Sequence, residues 1–151
     1  MQPTSDMLCY LGTPYSRYPG GIYTAHFQAC KIAARLLRAG INVYCPIAET
    51  HSIAMVGHID PLDHSIWMPR DRLFMERCDA LIVAHMEGWQ ESIGVTEEIK
   101  YFADAGLPIY DLDPNEFVLT KRERIKPERE RYDSLSEEEL RQRMKLYLEP
   151  E

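Results

Sequence analysis

The stretch Ala80–Ile99, ALIVAHMEGWQESIGVTEEI, decides the fold of this chain. Its first five residues, Ala80-Leu81-Ile82-Val83-Ala84, form a short apolar run with the length and β-branched content of a strand buried on both faces. Such strands belong to parallel sheets. Gly88 to Ser92 then supply a glycine-hinged turn. Beyond it Ile99, Phe102 and Ala103 recur at helical spacing, and Gly106 followed by Pro108 stops the helix. Ligands of open α/β sheets collect at the carboxyl ends of the strands. A serine, a glycine and two carboxylates at Ser92, Gly94, Glu97 and Glu98 therefore mark a candidate site for a polar substrate.

The same alternation extends in both directions. Met7-Leu8-Cys9-Tyr10-Leu11 reads as a first strand, broken by Gly12, Pro14 and the Gly20-Gly21 pair. A helix follows with Ala25, Ala29, Ile32, Ala33 and Leu36 as its apolar stripe and Gly40 as its stop signal. Ile41 to Cys45 is a second strand, ended by Pro46. Ile47 to Asp63, rich in His, Gly and Pro, reads as a long irregular segment of the kind that often carries function. Ser65 to Arg77 reads as a helix with Ile66, Leu73 and Phe74 inward, and Pro108 to Asp111 as the last strand. Strands alternating with helices imply βαβ units and right-handed crossovers in a doubly wound α/β domain. That domain spans residues 1–112. Residues 113–151 form a charged tail in which Ser136 and Glu139 make a capping box for a short amphipathic helix through Leu140, Met144 and Tyr147.

Composition narrows the function. With 17 Lys+Arg against 24 Asp+Glu, a net charge of -7 disfavours a nucleic-acid polymer as partner. Small phosphorylated metabolites need only local donors. The four cysteines, Cys9, Cys30, Cys45 and Cys78, lack CxxC spacing and read as reduced thiols of a cytoplasmic protein. No apolar run approaches the about 18 residues of a membrane span, and no signal-peptide pattern opens the chain. His51, His58 and His64 lie near Asp60 and Asp63, but no HxxxH pair falls on an expected helix, so these histidines and His85 read as cleft-lining residues rather than metal ligands. GxxxxGK[ST] and GxGxxG are missing, which disfavours an NTPase or a dinucleotide-dependent dehydrogenase, and the missing GxSxG elbow disfavours a Ser-His-Asp hydrolase.

Three carboxylates, Asp71, Glu97 and Glu98, fall where strand ends and helix starts would bring them to one cleft. Two acids in separate roles are the minimum for breaking a glycosidic bond. Glu97 and Glu98 point about 100° apart on a helix, so only one can face the cleft. Ser92 reads either as a helix N-cap or as part of a hydroxyl and phosphate cradle with the free N–H groups of the helix start. Trp67 and Trp89 border the expected cleft, as core packing or as a stacking surface for a base.

These motifs resemble those of the nucleoside 2-deoxyribosyltransferase superfamily, which includes the deoxynucleoside 5'-monophosphate N-glycosidases, in an uncharacterised bacterial and phage branch. The likeness covers roughly residues 7 to 111. Tyr10-Leu11-Gly12-Thr13-Pro14-Tyr15 is similar to the opening strand and turn. Asp71 ahead of Cys78-Asp79-Ala80-Leu81-Ile82 is similar to the aspartate before the central strand. Ser92-Ile93-Gly94-Val95-Thr96-Glu97-Glu98-Ile99 resembles the Ser/Asp-x-Gly-x-x-x-Glu signature, and Ala105-Gly106-Leu107-Pro108 the entry to the last strand. Where the transferases continue Glu-Leu-Gly-Tyr-Ala, this chain has Glu98-Ile99-Lys100-Tyr101-Phe102.

The resemblance implies a flavodoxin-like (Rossmann-like) doubly wound parallel sheet. It also implies cleavage or transfer at the N-glycosidic bond of a (2'-deoxy)nucleoside or its 5'-monophosphate. Glu98 would be the nucleophile on C1', Asp71 the acid that protonates the departing base, and Tyr10 the residue that orients Glu98. Gly12, Thr13, Ser92, Gly94, Trp67 and Trp89 would contact substrate. A homo-oligomer without metal or organic cofactor is implied as well. Two alternatives stand beside this expectation: a nucleotide-binding module without turnover, and a glycosidase acting on another nucleotide such as NAD.

Overall fold

The apolar run that opens the diagnostic stretch lies at the centre of a five-stranded sheet. In the computed structural model, which describes residues 2–123 together with 136, 138 and 139, the elements follow in this order. They are β1 (Leu8–Gly12), α1 (Ile22–Arg38), β2 (Asn42–Tyr44), α2 (Pro46–Gly57), α3 (His64–Met75), β3 (Ala80–Ala84), a single 3-10 turn (Trp89–Glu91), α4 (Ile93–Asp104), β4 (Ile109–Asp113) and β5 (Val118–Lys121). The strand order is β2-β1-β3-β4-β5. The first four strands are parallel, with Tyr10 opposite Leu81 and Ile82 opposite Tyr110, and β5 returns antiparallel on β4. This is the flavodoxin-like order, whose topological switch point lies between β1 and β3.

Every residue of β3 is buried because α1 covers one face of the sheet while α3 and α4 cover the other. Side chains alternate along a strand. Cys9 and Leu11 of β1 therefore pack with Ala29, Ile32 and Leu36 of α1, whereas Tyr10 between them points to Val95 and Phe102 of α4. That alternation aims Tyr10 at the face where the candidate carboxylates lie.

Several expectations need correction. The segment Ile47–Asp63 is not irregular: residues 46–57 form α2, with Pro46 in its first turn and His58, at φ 55°, ending it. The helix shows no apolar stripe because Thr50 and His51 face inward while Ile53 and Val56 face out. On α3 one of the three expected inward residues is inward: Phe74 is half-buried against the core and stacked on Tyr44 at 4.0 Å, whereas Ile66 and Leu73 are exposed and Trp67 and Met75 are the buried positions. Trp67, Asp71 and Met75 stand four residues apart and so share one face. The last parallel strand runs on to Asp113, and the sheet gains β5 from beyond residue 112. Ser136 and Glu139 do form the reciprocal capping box, Ser136 N–H donating to Glu139 Oε2 at 2.8 Å and Glu139 N–H to Ser136 Oγ at 3.3 Å. The helix expected through Leu140, Met144 and Tyr147 lies outside the described residues. No described helix is long and apolar enough to cross a membrane.

Candidate active site

Helix α4 begins at Ser92, whose Oγ accepts a hydrogen bond from Val95 N–H at 3.3 Å. This cap satisfies one of the orphan donors of the first turn. From that start Val95, Glu98 and Phe102 follow at spacings of three and four and share the sheet-facing side. Val95 and Phe102 are buried and Glu97 is exposed. Between the two glutamates, then, Glu98 is the one turned inward, over the end of β1. The fit there is close enough that a Cβ on Gly12 would collide with Glu98 Oε2. Glycine at position 12 is the condition for the carboxylate to occupy its place.

Asp71 reaches the same cleft from α3, and Tyr10 from β1. The cleft is small, about 80 Å³, and its walls include Tyr10, Tyr15, Thr50, Trp67, Asp71 and Glu98. His64, Met68, Met75 and Glu97 are shared with the lining of a second groove, of about 690 Å³, beside it between α3 and α4. Within this corner of the molecule Tyr10 Oη, Thr13 Oγ1, Asp71 Oδ1 and Glu98 Oε2 are all shut off from solvent without a hydrogen-bond partner. Buried polar atoms in folded proteins are nearly always paired. Four such atoms around the end of one strand are therefore a specific feature of this site.

Electrostatics follow from that burial. Desolvation raises the Asp71 carboxyl to about 6, with Arg70 opposing the rise and Glu49 adding to it. Glu98 is pushed well above the usual carboxylate range, first by desolvation and then by the Asp71 charge, while the facing Tyr10 hydroxyl pulls it back. Desolvation, with the two carboxylates behind it, also holds the Tyr10 phenol protonated. Two carboxyls that both resist ionisation titrate as a pair. The corner thus holds a proton between Asp71 and Glu98 at a pH where isolated acids would have lost theirs, which suits a task needing one acid and one base.

The other candidates divide. Trp67 lines the cleft and donates Nε1–H to Asp60 O at 2.9 Å. Gly94 lines it too, with open space where a Cβ would project. Thr13 and Gly12 are buried beneath the floor. Ser92 is buried as the α4 cap and is not a wall of the cleft. Trp89 is stacked on His85 at 4.2 Å, near Arg122, and does not line the cleft. His85 pairs with Asp111 at 2.7 Å, and His58 is exposed at the end of α2. Of the four histidines read as cleft-lining, His64 alone is a wall. Lys100 is exposed and paired with Asp104, and Phe102 fills the core beneath Tyr10 with ring centroids 6.1 Å apart. Neither departure from the transferase motif enters the cleft. Sequence reasoning missed Tyr15 and Thr50 as walls. Thr50 was hidden because α2 carries no periodic signal, whereas Tyr15 stood in the quoted opening turn without a role.

With this geometry in place, the comparisons add one assignment. The chain belongs to a domain family of unknown function (DUF1937), whose family model matches residues 7–113. The match includes Tyr10, Asp71 and Glu98. No curated protein matches the chain.

Proposed function

We propose that this chain cleaves or transfers at the N-glycosidic bond of a (2'-deoxy)nucleoside or its 5'-monophosphate. The observation that carries the reading is the set of unpartnered oxygens of Tyr10, Asp71 and Glu98 at one cleft beside the β1/β3 switch point. The motif resemblance points the same residues at the same chemistry.

Glu98 attacks C1' with a carboxylate oxygen as the bond from C1' to the base nitrogen breaks. The bonding pair leaves with the base, and Asp71 supplies the proton the base nitrogen takes up. Water, or a second base, then attacks C1' and releases Glu98, and its proton returns to Asp71. The cycle needs one proton between the two carboxyls, the condition their mutual burial favours. Burial and the Asp71 charge raise Glu98 the more, with the Tyr10 hydroxyl opposing the rise, so the resting proton lies on Glu98 and must pass to Asp71 as the substrate binds, before attack begins. Because the cleft accommodates only the reacting part of a nucleoside, the remainder extends toward the groove between α3 and α4. The resemblance alone tilts the reading toward hydrolysis of the monophosphate through Ser92, which the fold uses as the buried cap of α4 and not as a wall of the cleft.

The test is chromatographic detection of free base from a panel of nucleosides, 5'-monophosphates and NAD, with and without a second base. Base release by wild type and not by Glu98→Ala supports the reading, and a new nucleoside formed only with added base makes the protein a transferase. Ligand binding without release in both proteins would leave a binding module. We also propose a cytoplasmic homo-oligomer. Its support is four free cysteines and the exposed apolar side chains Tyr23 and Phe27 on α1 and Val56 on α2. A monomeric mass in sedimentation equilibrium would sink the oligomer.

A further inference from the structure

One wall of the cleft is held by a second, buried system of rings. Tyr15 Oη lies 2.6 Å from His51 Nδ1, and both residues are buried. His51 is stacked on His26 at 4.3 Å with an interplanar angle of 21°, and Tyr23 meets His51 edge-on at 5.1 Å. The titratable groups facing His51 are therefore Tyr15 from the turn after β1 and Tyr23 and His26 from α1. Cys30 Sγ lies 3.8 Å from His26 Nε2. On α2 itself, Glu49 is engaged with Arg70 at 2.8 Å. His26 Nδ1 is 3.0 Å from Ile47 O, and a carbonyl only accepts, so His26 carries its proton on Nδ1.

The direction of the Tyr15–His51 bond follows from acidity. A phenol is a stronger donor than a neutral imidazole N–H, and an unprotonated imidazole nitrogen is a stronger acceptor than a phenol oxygen. Burial, with His26 adding to it, holds His51 below its ordinary range and keeps the ring neutral at pH 7. Burial likewise raises the Tyr15 phenol to about 12 and keeps it protonated. At neutral pH Tyr15 therefore donates inward to Nδ1 and turns its oxygen lone pairs to the cleft. A protonated His51 carries a proton on Nδ1 and must donate it to Tyr15. The phenol keeps its proton and turns its O–H toward the cleft.

Resting on the assignment of this cleft as the reaction site, we propose that Tyr15 contacts the substrate and that His51 sets the polarity of that contact. Tyr15 presents an acceptor to a substrate hydroxyl or N–H while His51 is neutral, and a donor once His51 is protonated. Tyr15 is a binding residue in this arrangement, and His51 a positioning residue that acts through it.

The experiment joins two readouts on the full chain. Nitrogen-15 imidazole NMR reports the His51 tautomer, with Nδ1 expected unprotonated at pH 7 and protonated only on the acid side of the ordinary imidazole range. Base release and calorimetric binding with deoxynucleosides and their 5'-monophosphates report the contact. Tyr15→Phe should raise KM, or Kd where there is no turnover, about tenfold at pH 7, the effect of one lost hydrogen bond. It should also abolish the acid-side change in KM seen in wild type. His51→Gln, which keeps an acceptor but cannot titrate, should lose that acid-side change as well. A protonated Nδ1 at pH 7 would overturn the inference, as would base release with KM and pH profile unchanged in Tyr15→Phe. Binding that weakens in Tyr15→Phe without any base release supports the contact and sinks the glycosidase reading alone. Neither release nor binding by wild type sinks both.

Discussion

Replacing Asp71 by Asn should make the protein more stable and less active, and the stability gain should depend on pH in a defined way. In the unfolded chain Asp71 ionises near its ordinary 3.8, and in the fold near 6. At about 1.4 kcal/mol per pH unit, that gap is roughly 3 kcal/mol of ionisation penalty. Partial solvent contact at Asp71 screens it to about 1–2 kcal/mol. Well below 3.8 the carboxyl is protonated in both states and contributes no penalty. From about pH 3 to 6 the unfolded chain ionises first, so wild-type stability falls as pH rises, and above 6 the full penalty is present. Asparagine does not titrate. The variant should therefore approach wild type at about pH 3 and exceed it at about pH 7.5 by about 3–6 °C in Tm for a chain of this size. Thermal unfolding followed by circular dichroism at both pH values is the assay. A variant less stable than wild type at pH 7.5 would refute the reasoning, since Asp71 would then have a stabilising partner. An equal gain at both pH values would show that the gain does not come from ionisation. The accompanying loss of base release should be greatest for poor leaving groups, the ones that most need an acid.

Three further perturbations test separate parts of the geometry. Gly12→Ala places a methyl group against Glu98 Oε2 and should cost about 1–3 kcal/mol by overpacking. The same change in a Glu98→Ala background should cost much less, and equal costs in the two backgrounds by urea unfolding would deny the contact. Ser92→Ala removes the α4 cap and should cost about 1 kcal/mol. A Ser92→Thr variant that restores stability but not phosphate preference would separate capping from substrate contact, and full recovery of both would leave Ser92 a cap only. Arg122→Ala removes the pair of hydrogen bonds to Asp111 Oδ2 and Oδ1 at 2.7 and 2.8 Å. Although burial alone would raise it, Arg122 and His85 hold Asp111 below the ordinary carboxylate range. Hydrogen exchange in the variant should quicken in β5 and at residues 85–91, and uniform protection would show that the network pins neither.

What could be read from the sequence follows from how strongly each element's environment is imposed on it. β3 is buried on both faces, so all five of its positions are apolar and legible. α1 packs one face on the sheet and shows it as a stripe. α2 has its inward face occupied by Thr50 and His51, so hydropathy carried no period. α3 is legible as a helix, but its inward face is legible only at Phe74, because exposed Ile66 and Leu73 imitate an inward stripe while the true inward face carries Asp71. β5 is a short edge strand with one residue of four not exposed. For the site, the choice of Glu98 over Glu97 was within reach of periodicity, since Val95, Glu98 and Phe102 share a face. The Tyr15–His51 pair was not, because its members are 36 residues apart and meet only through the packing of α2 on α1.

The neighbours of Asp71 argue against reading the carboxylates as structural. A buried acid kept for stability is normally held by a cation and by donors on both oxygens. Asp71 has arginines on either side in the chain, and neither makes an ion pair with it. Arg70 donates to Tyr44 Oη at 2.7 Å and to Glu49 Oε1 at 2.8 Å, while exposed Arg72 lies 3.8 Å from Glu76. A cation within one residue's reach is thus committed elsewhere, and Asp71 Oδ1 stays without a partner. Leaving a buried acceptor unpaired costs about 1–3 kcal/mol. The fold bears that cost at Asp71, Glu98 and Tyr10 together, and the end of β1, the start of α4 and the inner face of α3 are where an open α/β sheet meets its ligand. A ligand that supplies hydroxyls to these oxygens and develops positive charge between the two carboxyls would recover in binding and in the transition state what the empty fold forgoes. A nucleoside losing its base does both.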